Sequence, residues 1–166
     1  MRAARTAAPG GLLERIPERL VVEGFRHWLA GHATGDLRHW EAAWNLYATA
    51  LGPRQARPVM DRLSRWVVTV RNCAGCPIRH LPGGCRELCR DECFALAMVA
   101  AGQDRDLPSV RFAAGFFLLE PDAQEEAVER TLAFAQALEE RDLRLRPIAF
   151  ELLAATGSRP PRDELH

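Results

Sequence analysis

The sequence predicts an all-α, single-domain bundle of roughly six helices, and three observations lead there. Apolar residues recur at three- and four-residue intervals along most of the chain. No segment sustains period-two alternation, so strands are not expected. Gly and Pro punctuate the periodic stretches, and no repeat of 20 to 50 residues suggests a solenoid.

Each element has its own signal. Ile16, Leu20, Val21, Phe25, Trp28 and Leu29 mark the first helix, with Pro17 near its start and Gly31 just past its end. Asp36 opens a second helix carrying Leu37, Trp40, Ala43, Trp44, Tyr47 and Leu51, and Gly52-Pro53 stops it. A third segment runs from about Arg57 to Arg71. Its Val-Val-Thr-Val end has strand composition, but the spacing of Leu63, Trp66 and Val70 selects helix. An irregular stretch follows from Asn72 to Gly84, and a fourth helix is expected from near Cys85 to Ala101, ended by Gly102. Leu107-Pro108-Ser109 leads into a short apolar helix through Leu119, expected to be buried on most sides. Asp122 and Glu125 have capping-box spacing at the head of a long helix that buries Ala127, Val128, Leu132, Phe134, Ala135 and Leu138. Leu143 to Leu145 reads as a short extended piece and Phe150 to Ala155 as a last helical turn or two. The helical domain is thus 1–156, with the cysteine cluster at 73–93 and a flexible tail at 157–166.

Composition narrows the chemistry. The chain has 166 residues, 48% apolar and 27% charged, which is globular composition and enough for a full hydrophobic core without disulfides or metal. Its 22 basic residues balance 22 acidic ones, and all the basic ones are arginine. Without lysine there is no Schiff-base lysine, no pyridoxal-phosphate linkage and no phosphate-loop Gly-Lys-Ser/Thr. A lysine-free chain rich in Arg, Ala and Leu has the composition of a GC-rich bacterial coding sequence. Leu12 and Leu13 run straight into Glu14, Arg15 and Pro17, so a secretory signal is not expected. The apolar run Phe112 to Leu119 is far short of the roughly 20 residues a membrane helix needs. A cytoplasmic protein follows, whose five cysteines are thiols or metal ligands and not a disulfide framework.

Those cysteines, Cys73, Cys76, Cys85, Cys89 and Cys93, are the strongest functional signal. Cys73 and Cys76, with Gly75 between them and Pro77 after, can turn both sulfurs toward one ion. Cys85 and Cys89, one helical turn apart, share a face. A turn pair set against a helix-start pair builds a four-thiolate site for zinc or an iron–sulfur cluster. If the segment is helical throughout, Cys85 and Cys93 stand about 12 Å apart along the axis, too far for sulfurs bound to one zinc. The favoured set is therefore Cys73, Cys76, Cys85 and Cys89, with Cys93 or His80 as substitutes. The alternative is that Cys85, Leu88, Cys89, Cys93, Leu96, Ala97 and Ala100 form one buried stripe and bind no metal, cysteine being a small hydrophobe. That alternative leaves Cys73 and Cys76 in a polar Gly/Pro segment unexplained. A redox pair at Cys73 and Cys76 lacks the βαβ context of a thioredoxin-like protein.

Elsewhere the sequence offers less. His27, His32 and His39 flank the first helix junction; His27 and Glu23 share a helix face, but no motif completes a metal site. Trp28, Trp40, Trp44 and Trp66 are core residues by spacing, and Arg90-Asp91-Glu92 reads as a solvated face or a local charge network. Ser64, Ser109 and Ser158 have no activating partner, so a catalytic residue is not identified and a non-enzymatic role is expected. Charge is unevenly spread. Residues 53–90 carry eight arginines against Asp61 and Glu87, and residues 120–142 carry eight acids against Arg130 and Arg141. Arg54, Arg57, Arg62 and Arg65 are candidate contacts for a partner, either a protein or a nucleic-acid backbone; the competing expectation is that the basic and acidic helices pack side by side or face water. Together these features predict a zinc-stabilised regulatory or adaptor module. The alternatives are an iron–sulfur protein for electron transfer or oxygen/iron sensing, and a metal-free helical interaction protein with buried cysteines.

Overall fold

The computed structural model describes residues 9–118 and 120–148. Among them are six α-helices, preceded by a 3-10 turn at Pro9–Glu14: α1 (Ile16–Thr34), α2 (Leu37–Leu51), α3 (Pro53–Cys73), α4 (Arg90–Gln103), α5 (Leu107–Phe117) and α6 (Pro121–Glu139). The all-α bundle is as the periodicity predicts. Proline stands in the first two positions of α1, α3, α5 and α6, where its missing N–H has no helical partner to lose. None of the described helices is long and apolar enough to cross a membrane. The expected final turn at 150–155 and the tail from 157 lie outside the described residues.

The bundle is centred on Trp66 of α3, fully buried, which stacks on Phe134 of α6 at 5.2 Å between ring centroids and tilts against Phe25 of α1 at 5.5 Å. So the basic and acidic helices do pack together, through their apolar faces, while Arg54, Arg57, Arg62 and Arg65 point to solvent. Helix α4 runs through the interior. From Phe94 to Gln103 every residue is buried, which is why its sequence is apolar all round and lacks a polar stripe. Of the four tryptophans only Trp66 is fully buried; Trp28, Trp40 and Trp44 are half-buried around the α1–α2 junction.

Several boundaries differ from expectation, each for a local reason. Gly31 lies inside α1 and not beyond it. A Cβ there would come within 2.7 Å of Trp40 Cε2, so the glycine allows α2 to approach. The helix ends instead at Gly35, whose φ of +69° is the left-handed conformation that glycine adopts without steric cost. Helix α3 starts at Pro53 and not near Arg57, because Gly52-Pro53 both closes α2 and opens α3. Helix α6 starts at Pro121, so Asp122 is already in its first turn and makes no capping box; Glu125 pairs with Arg111 of α5 at 2.8 Å. Helix α5 buries one face only, through Val110, Ala113, Ala114 and Phe117, and leaves Phe112 62% exposed.

At Leu143–Leu145 burial alternates, with Leu143 and Leu145 buried and Arg144 outward, and the segment is assigned neither helix nor strand. Its backbone groups are matched by one side chain. The Gln103 amide donates to Leu143 O and its carbonyl accepts from Leu145 N–H, both at 2.8 Å. Glu18, fully buried on α1, accepts from Arg146 N–H at 2.9 Å and closes the same segment onto α1.

Candidate metal centre

The fourth helix begins at Arg90 and not near Cys85, which changes the geometry of the cysteine cluster. Residues 74–89 form a long irregular loop, and Cys89 is the N-cap of α4. The cysteine stripe therefore breaks at the cap. Cys93 is half-buried against the core with Leu96, Ala97 and Ala100 beyond it, but Cys85 and Leu88 precede the helix. The 12 Å separation expected for Cys85 and Cys93 on a continuous helix does not apply.

Three buried charges hold the loop. Arg26 of α1, 1% exposed, uses all five of its N–H donors. Nε donates to Glu92 Oε1 at 2.7 Å and Nη2 to Glu92 Oε2 at 3.0 Å, a bidentate pair. Nη1 donates to Glu23 Oε1 at 2.8 Å and to Cys85 O at 2.7 Å, and Nη2 donates to Glu87 O at 2.5 Å. The carboxylates serve the loop's N–H groups in turn. Glu92 accepts from Leu81 N–H at 2.7 Å and from Cys89 N–H at 3.0 Å, completing a reciprocal cap with the Cys89 side chain. Glu23 accepts from Gly84 N–H at 3.1 Å. Burial works against both ionised partners. Hydrogen bonding to Glu92 and Glu23 nevertheless holds the Arg26 pKa above its usual value, and Arg26 with the Leu81 and Cys89 amides holds Glu92 below its own. Neither Arg26 nor Glu92 was a candidate site residue by sequence. The available signals were charges at Glu23 and Arg26 within an apolar helix stripe, and the Cys89-x-x-Glu92 spacing of a capping box.

The latch sorts the cysteines. Ala74 pairs with Leu118 in a single antiparallel bridge and Gly75 N–H donates to Phe117 O at 3.0 Å, so the chain after Cys73 is fixed at the end of α5. Cys73 is half-buried and Cys76 exposed. The limb that follows lies along the first turn of α4: Arg79 N–H donates to Asp91 Oδ2 at 2.8 Å, and Cys89 Sγ donates to Arg79 O at 3.4 Å. Cys93 follows Cys89 by one helical turn. Burial pushes the Cys89 thiol up, and pushes Cys93 up to about 11 with further contributions from Cys89 and Glu92. Both are thiols at neutral pH, not nucleophilic thiolates. Cys85 lines a cleft with Arg19, Glu23 and Arg86, whereas Cys76 and His80 line another with Leu29 and Ala33. Along α1 those two sets are ten residues, or about 15 Å, apart. His80 Nδ1 lies 3.2 Å from Leu81 O and so carries the proton. Among the described residues no three His, Cys, Asp or Glu side chains are arranged around a point an ion would occupy.

The histidines group as the sequence suggests without forming a ligand set. His27 Nε2 is 3.5 Å from Glu23 Oε2, its ring is 6.1 Å from that of His39, and Gly83 packs against it. Burial lowers the His27 pKa, His39 and Arg26 add to that, and Glu23 opposes it. Arg65 is paired with Asp61 on the α3 surface; the three other candidate arginines have no acidic partner among the described residues. Comparison of the chain with known protein families, with curated proteins and with solved structures finds no match.

Proposed function

We propose that the chain is a metal-binding helical module in which Cys73, Cys76, Cys89 and Cys93 hold one ion, zinc before others. The observation that carries this reading is the Cys89 Sγ hydrogen bond to Arg79 O at 3.4 Å. It lays the limb that follows the Cys73/Cys76 pair against the cap of α4, where Cys89 and Cys93 stand one turn apart. Cys76 is three residues from Arg79, so their Cα atoms are within roughly 10 Å in any conformation. Binding an ion would require these four side chains to turn their sulfurs toward one point. Four thiolates suit zinc or iron–sulfur chemistry and not hard cations. Cys85 is left out because Arg26 holds its carbonyl and the residue lines the other cleft. His80 remains the substitute ligand on the near side.

In this reading the ion adds a covalent brace to a loop already latched by Arg26, and the role is regulatory or adaptor-like in a bacterial cytoplasm. The exposed Arg54, Arg57, Arg62 and Arg65 on α3 supply the partner surface, for a protein or for a phosphate backbone. Nucleic-acid binding there would fall steeply with salt, and the fall would flatten when these arginines are replaced by alanine. An iron–sulfur cluster is the second reading, favoured by the exposure of Cys76 beside an open cleft. Anaerobic purification followed by metal analysis separates the two. One zinc per chain without colour is the expected result, whereas iron with sulfide and visible charge-transfer absorption means a cluster. Metal-free protein that gains no thermal stability on adding zinc or on cluster reconstitution contradicts both.

A further inference from the structure

The cleft beside Cys76 has a character of its own. It encloses about 550 Å³, inside the range of small-molecule sites. Its lining combines the apolar Leu29 and Ala33 of α1 and Pro77 and Ile78 of the loop with the basic Arg71 and with His80. Among the described residues no carboxylate lines it. Two other clefts differ in this respect: one at Cys85 sets Glu14 and Glu23 against Arg19 and Arg86, and one along α1 and α2 includes Glu23. Arg71 also has no carboxylate partner among the described residues; its one side-chain bond is Nη1 to Asn72 Oδ1 at 3.3 Å. Most of the guanidinium fork is therefore open to a ligand. Gly75 N–H, by contrast, is already used by Phe117 O.

We propose that this cleft binds a small organic anion, with its carboxylate or phosphate on the Arg71 fork and its apolar body against Leu29 and Ile78. The inference rests on the cleft's shape and the sign of its charge. The test is titration of the purified chain, as isolated and after chelator treatment, with benzoate, phenyl phosphate, inorganic phosphate and benzylamine, followed by amide chemical shifts. The two organic anions are expected to saturate and to move the Gly75, Ile78 and His80 amides. Arg71→Gln should weaken them roughly tenfold to a hundredfold, as for loss of a charge-assisted hydrogen bond, with an unchanged melting temperature because Arg71 is exposed. Arg71→Lys should retain part of the affinity. Benzylamine and inorganic phosphate should each bind at least an order of magnitude more weakly than phenyl phosphate. The proposal is overturned if benzylamine binds as well as benzoate, if inorganic phosphate matches phenyl phosphate, or if Arg71→Gln binds like the parent. Shifts centred on Gly84 and Arg86 would overturn it too, by placing the ligand in the other cleft.

Discussion

Removing the Arg26 side chain should release the cysteine loop and cost a large share of the protein's stability. In Arg26→Ala all five hydrogen bonds of the guanidinium disappear, two to Glu92, one to Glu23, and one each to the Cys85 and Glu87 carbonyls. Glu92 is then left buried without its partner, its side chain 0% exposed, so solvent offers little compensation. Breaking a buried pair from one side costs about 3–5 kcal/mol, against total stabilities of about 5–15 kcal/mol for proteins in general. Urea denaturation at neutral pH measures the loss, and a double-mutant cycle with Glu92→Leu separates the pair from the rest. The double variant should be less destabilised than the sum of the single ones, because the second change removes the stranded carboxylate. Hydrogen exchange supplies the local readout, with the Leu81, Gly84 and Cys89 amides losing protection while those of α3 and α6 keep it. A loss under about 1 kcal/mol, or unchanged protection at those three amides, would refute the claim that this cluster organises the loop.

Three further outcomes follow from the same structure. Gly31→Ala places a Cβ within 2.7 Å of Trp40 Cε2 and should cost about 1–3 kcal/mol by forcing the α1–α2 contact apart, read as a lower melting temperature and altered tryptophan emission. Gln103→Ala strands Leu143 O and Leu145 N–H and should cost about 1–3 kcal/mol, with new protease sensitivity near residue 144. His27 has a folded pKa below its ordinary 6.5, so the folded state prefers the neutral ring. The stability it confers is complete above about 6.5 and is lost progressively as pH falls toward the folded value. His27→Gln should flatten the pH–stability curve between pH 7 and 5, and an unchanged curve would remove His27 from the account.

What could be read in the sequence follows from how local each determinant is. Helices α1, α2 and α6 declare themselves because their core-facing residues repeat at the helical period within the segment itself. Gly31 misleads because a glycine that admits a tryptophan looks the same in sequence as one that ends a helix; only the position of Trp40 distinguishes them. The start of α4 misleads for a related reason. Cys85, Leu88 and Cys89 have helical spacing, yet the backbone around them is committed to Arg26, 59 residues away from Cys85 in sequence. The cysteines are visible as a set, but the path of the chain from Cys85 to Cys89 is not, since Arg26 of α1 binds the Cys85 and Glu87 carbonyls and no local pattern encodes that contact. Arg90-Asp91-Glu92 held both anticipated outcomes at once: Arg90 is exposed and stacks over Phe116 at 4.5 Å, whereas Glu92 is 1% exposed and anchors the loop.

The assignment of ligands is tested most directly by comparing two single variants purified anaerobically beside the parent, Cys89→Ser and Cys85→Ser, and measuring metal per chain. The account predicts that Cys85→Ser keeps the parent's zinc content and melting temperature, while Cys89→Ser loses most of the metal and the stability it confers. Loss of metal in Cys85→Ser with retention in Cys89→Ser would contradict it.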